Sequence, residues 1–286
     1  MPLKYAYHPG NVSHSSAPEV NDTMMPIAKS LGIELTILEG ATSCGAGIMR
    51  QANNRLQLTL NARTFAMAES LGLDIMTPCA ATAGNLNEDL QTLIGNNILL
   101  AEINSTLMKT CGLKFNGAVK VHHLLHVLVD EIGLEKIELK VKNPLNFMIA
   151  GYYGPNMQQS GMCGDDDIYD PSYLEKLIQS IGGIPVEWGS RTKSVGVPGL
   201  LSEEPTVLLQ SANVILDAKD EGAQLIVSAC NLSHTIMDIY QGKASRIAER
   251  PINIPIMHLT EMIDFAFGHH NTRLAQLRTR ISVIGN

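Results

Sequence analysis

Two cysteines stand where a strand gives way to a helix. The stretch Ile75-Met76-Thr77-Pro78-Cys79-Ala80-Ala81-Thr82 returns in the second half of the chain as Ile226-Val227-Ser228-Ala229-Cys230-Asn231-Leu232-Ser233. In each, a short apolar run rich in β-branched residues leads into one cysteine and then a helix start. Open α/β sheets place their chemistry at the carboxyl ends of strands. Backbone N–H groups and the helix dipole there lower a thiol pKa. Cys44, in Ser43-Cys44-Gly45-Ala46-Gly47, follows a second strand in the same way. Cys44 and Cys79 are therefore the candidate reactive thiols. If their loops converge, they can exchange with a disulfide or with each other.

Histidines could extend this set. His8, His123 or His126 could join Cys44 and Cys79 around a metal, and Cys230-x-x-x-His234 has metal-like spacing with His258 as a further donor. In the plainer reading His123 and His258 pack behind the strand ends, and His234 sits on a helix. Cys111, between a helical pattern and Gly112, reads as a small core residue. Cys163 precedes the acidic triplet Asp165-Asp166-Asp167, which lacks the oxygen spacing of a calcium loop and reads as a solvated loop before a helix.

The elements that must position these residues also come twice. Strand patterns cover Lys4 to Tyr7, Leu31 to Leu38, Asp74 to Pro78 and Ala118 to Leu125. A second set covers Phe147 to Tyr153, Ile181 to Trp188, Gln224 to Ala229 and Ile254 to Glu261. Helical patterns lie between them at Arg50 to Leu71, Leu86 to Met108, Tyr173 to Ile181 and Val207 to Ala218, with Gly72 and Gly222 at expected left-handed C-caps. Strands alternating with helices imply crossover units and a largely parallel sheet. The expected fold is α/β, two tandem repeats of a parallel-sheet unit related by pseudo-two-fold symmetry, spanning residues 1–142 and 143–286. One rim then gathers Asn11, Ser43, Cys44, Cys79 and His123. Their counterparts, Ser194, Cys230 and His258 among them, gather at another. The segment Glu135 to Lys142 alternates like an extended connection between the two.

Composition narrows the class. A formal charge of −7 offers no basic face for nucleic acid. No apolar run approaches the roughly 20 residues of a spanning helix, and Met1 to Tyr7 lacks a signal-peptide core. The five cysteines are scattered, which suits free thiols in the cytoplasm better than a disulfide framework.

Taken in register, Tyr5-Ala6-Tyr7-His8-Pro9-Gly10, Leu31-Gly32-Ile33-Glu34-Leu35, Asp74-Ile75-Met76-Thr77-Pro78-Cys79, His123-Leu124-Leu125, Tyr152-Tyr153-Gly154, Pro185-Val186-Glu187-Trp188 and Val227-Ser228-Ala229-Cys230 look like one framework. It resembles the B-type subunit of heterodisulfide reductase, of the cysteine-rich CCG-domain family, over nearly the whole chain. The resemblance implies, in each repeat, a cysteine after the first strand, a Cys-Cys-Gly loop and a Cys-x-x-Cys pair holding an iron–sulfur cluster. Here those positions read Asn11, Ser43, Cys44, Cys79 and Thr82, then Pro155, Ser194, Val195, Cys230 and Ser233. Two thiols remain in one repeat and one in the other, against about four thiolates for an ordinary cluster.

The resemblance implies a component of a heterodisulfide-reductase-like oxidoreductase complex in sulfur or thiol–disulfide metabolism. Its partners would be C-type iron–sulfur and A-type flavin proteins of the same complex, with a lipoate-binding protein in the sulfur-oxidising systems. The missing cysteines lead to the expectation of no cofactor, the chain serving as scaffold or handling a sulfur substrate. The alternatives are a catalytic component with an atypical Fe–S or other metal site, and a stand-alone thiol protein or sulfur carrier.

Overall fold

In a computed structural model, residues 2–46, 48–159, 162 and 164–269 are described. Cys163 lies outside them. The first half runs β1 (Leu3–Tyr7), α1 (Pro18–Leu31), β2 (Ile33–Ile37), α2 (Ile48–Leu71), β3 (Asp74–Thr77), α3 (Ala80–Ile94), α4 (Asn97–Cys111) and β4 (Val121–His123). A one-turn helix, α5 (Leu124–His126), a π-helical turn at Val127–Ile132 and α6 (Leu134–Glu138) lead to the second half. There follow β5 (Met148–Tyr152), α7 (Tyr173–Ser180), β6 (Ile184–Pro185), α8 (Glu204–Asp220), β7 (Leu225–Ser228), α9 (Asn231–Ile239), α10 (Gln241–Ile247), β8 (Ile256–His258) and α11 (Leu259–Ala266).

The strands form two four-stranded parallel sheets, ordered β2-β1-β3-β4 and β6-β5-β7-β8. Parallel pairing requires crossovers and covers both faces, so each central strand is buried on both sides. The alternation of side chains then assigns the layers. Tyr5 and Tyr7 of β1, Met76 of β3, Val227 of β7 and Met257 of β8 enter one core. Ala6, Ile75 and Val121 enter a second with Phe65 and Leu86, while Ala150, Ile226 and Ile256 enter a third with Leu208 and Ile215. The first of these cores is common to both halves, because Leu124, Leu174, Leu225 and Leu259 all belong to it. The sheets therefore face one another through a shared inner layer, with separate outer layers on α2–α4 and on α8–α10.

Several local expectations change. The helix expected over Leu86 to Met108 is two, because Asn96 leaves the helical region and its side chain caps the amide of Leu99 at 3.0 Å. Helix α2 contains a break at Asn53, whose φ of −159° is extended and whose side chain caps Leu56. The strand expected over Ile181 to Trp188 shrinks to Ile184–Pro185 at the sheet edge, where the amides of Ile184 and Val186 bond to β5 and the residue before it, and Pro185, which has no N–H, turns its nitrogen to the open side. Glu135 to Lys142, which alternates, holds the helix α6 and a turn. Cys111 ends α4 exposed rather than in the core.

Candidate functional site

The two cysteine turns are built alike. Thr77 Oγ1 accepts the Cys79 amide at 3.3 Å, and Ser228 Oγ accepts the Cys230 amide at 3.2 Å. A hydroxyl two residues before the cysteine thus closes the strand end into a turn. Each cysteine is the N-cap of the following helix, α3 or α9, with extended backbone (φ −107° and −142°). The first intrahelical bonds run to their carbonyls, from Ala83 at 2.9 Å and from His234 at 2.8 Å.

These turns meet. The Ala80 amide donates to Ala229 O at 3.1 Å. His123 lies with Nε2 2.9 Å from Ala229 O, and His258 with Nε2 3.2 Å from Pro78 O, so each half's histidine binds the other half's cysteine turn. Both Nδ1 atoms accept backbone amides, from Leu125 and from Thr260. Nε2 therefore carries the proton and both rings are neutral. Burial pushes both imidazoles down, His123 to about 3 with the neighbouring His126 adding to it, and His258 with His234 adding to it. Asn231 adds a further tie, donating to Pro9 O at 3.2 Å and Asn11 O at 3.1 Å. Gly10 passes beneath with φ +87°, where an added Cβ would lie 2.5 Å from Cys79 Cβ.

Cys44, Cys79 and Cys230 are all buried here. The expected convergence of Cys44 and Cys79 is present as an electrostatic neighbourhood, and Cys79 interacts more strongly with Cys230, whose thiol favours the Cys79 thiolate. The two rims expected to be separate therefore face each other. Burial opposes the Cys79 thiolate, but the Cys230 thiol, the Thr82 hydroxyl and the amides of Thr82 and Asn11 outweigh it and lower its pKa. Cys230, holding the shared proton, goes well above the ordinary thiol value. Cys44 departs from the sequence expectation: burial pushes it up, against the Ala46 amide at 3.4 Å and the Asn11 side-chain amide at 3.2 Å. Ser43 holds Asn11 in place, donating to Oδ1 at 2.7 Å.

Two cavities flank this cluster. One of about 650 Å³ opens beside the first half's rim, lined by His8, Asn11, Ser13 and Ser43. The other, about 210 Å³, lies between the halves and is lined by Cys230, Ser233, Ser194, Arg50, Asn85 and Gln159. Arg50 Nε and Gln159 Oε1 are buried there without partners. Arg50 is held by Glu88 and, at 2.8 Å, by Asp89. Arg50, Gln159 and Asn231 carry no motif that singles them out in the sequence; a polar Asn231 opposite the alanine of the first stretch is the one signal that points to this boundary.

His234 is turned away from the thiols. Its Nε2 lies 2.9 Å from Glu19 Oε1 and 3.7 Å from Glu261 Oε2. Burial alone would lower its pKa, but the Glu19 hydrogen bond and the Glu261 charge raise it. The metal-like spacing of Cys230 and His234 thus corresponds to no shared site. Glu19, His234 and Glu261 do offer ligand atoms within 4.8 Å of one another, with no sulfur among them.

A model of the CCG family, described as a cysteine-rich domain, matches residues 5–87. The 8-methylmenaquinol:fumarate reductase membrane anchor subunit of Wolinella succinogenes is 28% identical over 94% of this chain and 93% of that one. A protein of Archaeoglobus profundus, named as like the B-type subunit of heterodisulfide reductase, is 26% identical over 96% of this chain and 93% of its own. The B-type subunit of the ferredoxin:CoB-CoM heterodisulfide reductase of Methanosarcina mazei is 25% identical over 83% and 80%. The chain resembles the B-type subunit of heterodisulfide reductase. A solved structure of a hypothetical protein from Helicobacter pylori shares the fold, with a TM-score of 0.77 and 17% identity; it covers 98% of this chain, which spans 52% of that one. Among the described residues no helix is long and apolar enough to cross a membrane.

The cluster that the resemblance implies can be tested against these donors. Val195, at one implied ligand position, is buried in the apolar outer core, and Pro155 begins a 3-10 turn. Ser43 already donates to Asn11, Asn11 donates to Cys44, and Thr82 accepts from Cys44. Among the described residues, one of the two cavities is lined by no cysteine and the other by Cys230 alone. Cys44, Cys79 and Cys230, among the described residues, neither reach the four thiolates of an ordinary cluster nor surround a space for one. The residues present do not fit it.

Proposed function

We propose that this chain is a component of a heterodisulfide-reductase-like oxidoreductase assembly that handles a sulfur or thiol substrate without a cluster of its own. The observation that carries this reading is the meeting of the Cys79 and Cys230 turns through Ala80 to Ala229, His123 to Ala229 and His258 to Pro78, with Cys44 buried in the same seam between two facing sheets. Resemblance over nearly the full length supplies the assembly, as relatives are named subunits of reductases. Its partners on this reading are C-type iron–sulfur and A-type flavin chains, with a lipoate-binding protein where the sulfur is carried. Asn11, Ser43, Thr82, Ser194 and Ser233 line the rim that a cluster would occupy in relatives, and His123 and His258 position the cysteine turns.

The chain also reads as two copies, residues 1–142 and 143–286, related by an approximate two-fold axis. What supports this is the common strand order of the two sheets and the like placement of Cys79 with Cys230 and His123 with His258. The cytoplasm, where thiols stay reduced, suits the free cysteines found among the described residues.

Iron and acid-labile sulfide analysis of anaerobically purified protein tests the reading. A colourless protein, with far less than one cluster per chain, is expected. A brown protein holding several irons per chain would overturn it in favour of a catalytic, cluster-bearing role.

A further inference from the structure

We propose that Cys79 and Cys230 form a redox-active dithiol that closes reversibly to a disulfide across the boundary between the two sheets. The inference rests on the cluster-free reading above and names the pair that does the chemistry. Its basis is geometric. Two strand-to-helix turns from opposite halves are tied face to face by Ala80 to Ala229, His123 to Ala229 and His258 to Pro78, and the first of these bonds joins the residue after Cys79 to the residue before Cys230, which sets the two buried cysteines side by side. Amides from both halves favour the sulfur anions, those of Thr82 and Asn11 acting on Cys79 and those of Ser233 and Ala81 on Cys230. Such donors stabilise sulfur anions in a buried place, as the N-termini of α3 and α9 do. Cys44 faces Asn11, Thr82 and Ala81 O instead, which leaves it outside the pair.

The 210 Å³ cavity sets the order of events, because it is lined by Cys230 and not by Cys79. A low-molecular-weight disulfide is the oxidant. The Cys230 sulfur attacks one of its sulfurs while the Cys230 proton passes to Cys79. The substrate S–S bond breaks, a mixed disulfide forms on Cys230 and a thiolate leaves. That thiolate takes the proton from Cys79, whose freed thiolate attacks the Cys230 sulfur and expels the second thiolate. One S–S bond has been lost and one gained, and two electrons have passed from the dithiol to the small disulfide. A dithiol reductant, or an electron-donating partner supplying two electrons and two protons, reopens the pair.

Full-length protein, purified anaerobically and assayed for iron in the same sample, is equilibrated across a series of reduced and oxidised glutathione ratios. It is then acid-quenched, alkylated and mapped by mass spectrometry. The expected result is loss of two hydrogens and a single cross-linked peptide pair joining Cys79 to Cys230, reversed by dithiothreitol. C44S and C111S should retain the bridge, and C79S or C230S should abolish it. Because the mapping of the unaltered protein decides by itself, misfolding of a variant does not blur the outcome. Recovery of both cysteines as thiols across the whole series, or a bridge that uses Cys44, overturns the dithiol; with iron absent, the cluster-free reading survives that result. Bound iron that protects Cys79 or Cys230 overturns both.

Discussion

His123 donates from Nε2 to the carbonyl of Ala229, a residue of the other half, at 2.9 Å, while its Nδ1 caps its own following turn. A single neutral ring thus ends one strand and holds the cysteine turn of another. Replacing it with alanine removes one of the two donors to a buried carbonyl and leaves a cavity, at a cost of about 2–4 kcal/mol. His258→Ala, which frees Pro78 O, should cost a similar amount. Urea denaturation of the two variants measures this, and a loss below about 0.5 kcal/mol in both would contradict the role.

Acidification should act on the same pair. The folded-state values of His123 and His258 lie below the unfolded value near 6.5, so the unfolded chain binds the extra protons. Their stabilising effect is complete above about pH 6.5 and falls as pH drops from there, for His123 down to about pH 3. Each contributes up to about 1.4 kcal/mol of lost stability per pH unit in its window. His234 has the opposite sign: its raised value stabilises fully below about pH 6.5 and the effect fades as pH rises through the folded-state value. Denaturation midpoints between pH 4 and 9 should show His123→Gln flattening the acid limb and His234→Gln flattening the alkaline one.

Thiol accessibility gives a sharper contrast. Cys111 is exposed, whereas Cys44, Cys79 and Cys230 are 0%, 0% and 1% exposed. In native protein under reducing conditions, iodoacetamide should modify Cys111 quickly, Cys230 slowly through the cavity it lines, and Cys44 and Cys79 only with unfolding. C111S should remove that fast phase. Rapid native labelling of Cys44 would show that the seam opens far more readily than its packing implies.

The backbone approach at Gly10 predicts a strong positional effect. Alanine there meets both a φ of +87° and a Cβ 2.5 Å from that of Cys79, so the turn must move. The expected loss is about 3 kcal/mol or more, with altered reactivity at Cys79. Gly32 has a similar φ of +74° and open space around it, so Gly32→Ala should cost only about 1 kcal/mol. Equal losses at the two sites would remove the steric argument.

The α/β class and the parallel sheets were legible in the sequence because strands such as Asp74–Thr77 and Leu225–Ser228 are short apolar runs that end in turn residues. The N-cap positions of Cys79 and Cys230 could be read for the same local reason. Their contact could not, since it depends on how two sheets face each other, and periodicity says nothing about that. The position of Cys111 was not legible because the last turn of a helix can face either way, and its thiol, directed at the Leu107 carbonyl, needs no core. The pairing of His234 with Glu19, far along the chain, overrode a spacing that looked like ligation to Cys230.

The reciprocal histidine bonds bear on what either half can do alone. Each half supplies the donor that the other half's cysteine turn requires, so neither half is a self-sufficient building block. A chain cut between the two sheets would leave the Ala229 carbonyl without its His123 donor and the Pro78 carbonyl without its His258 donor until the pieces came together. The seam thus works as a mutual latch: each sheet keeps the other's cysteine turn in shape, whatever becomes of the chemistry at the thiols.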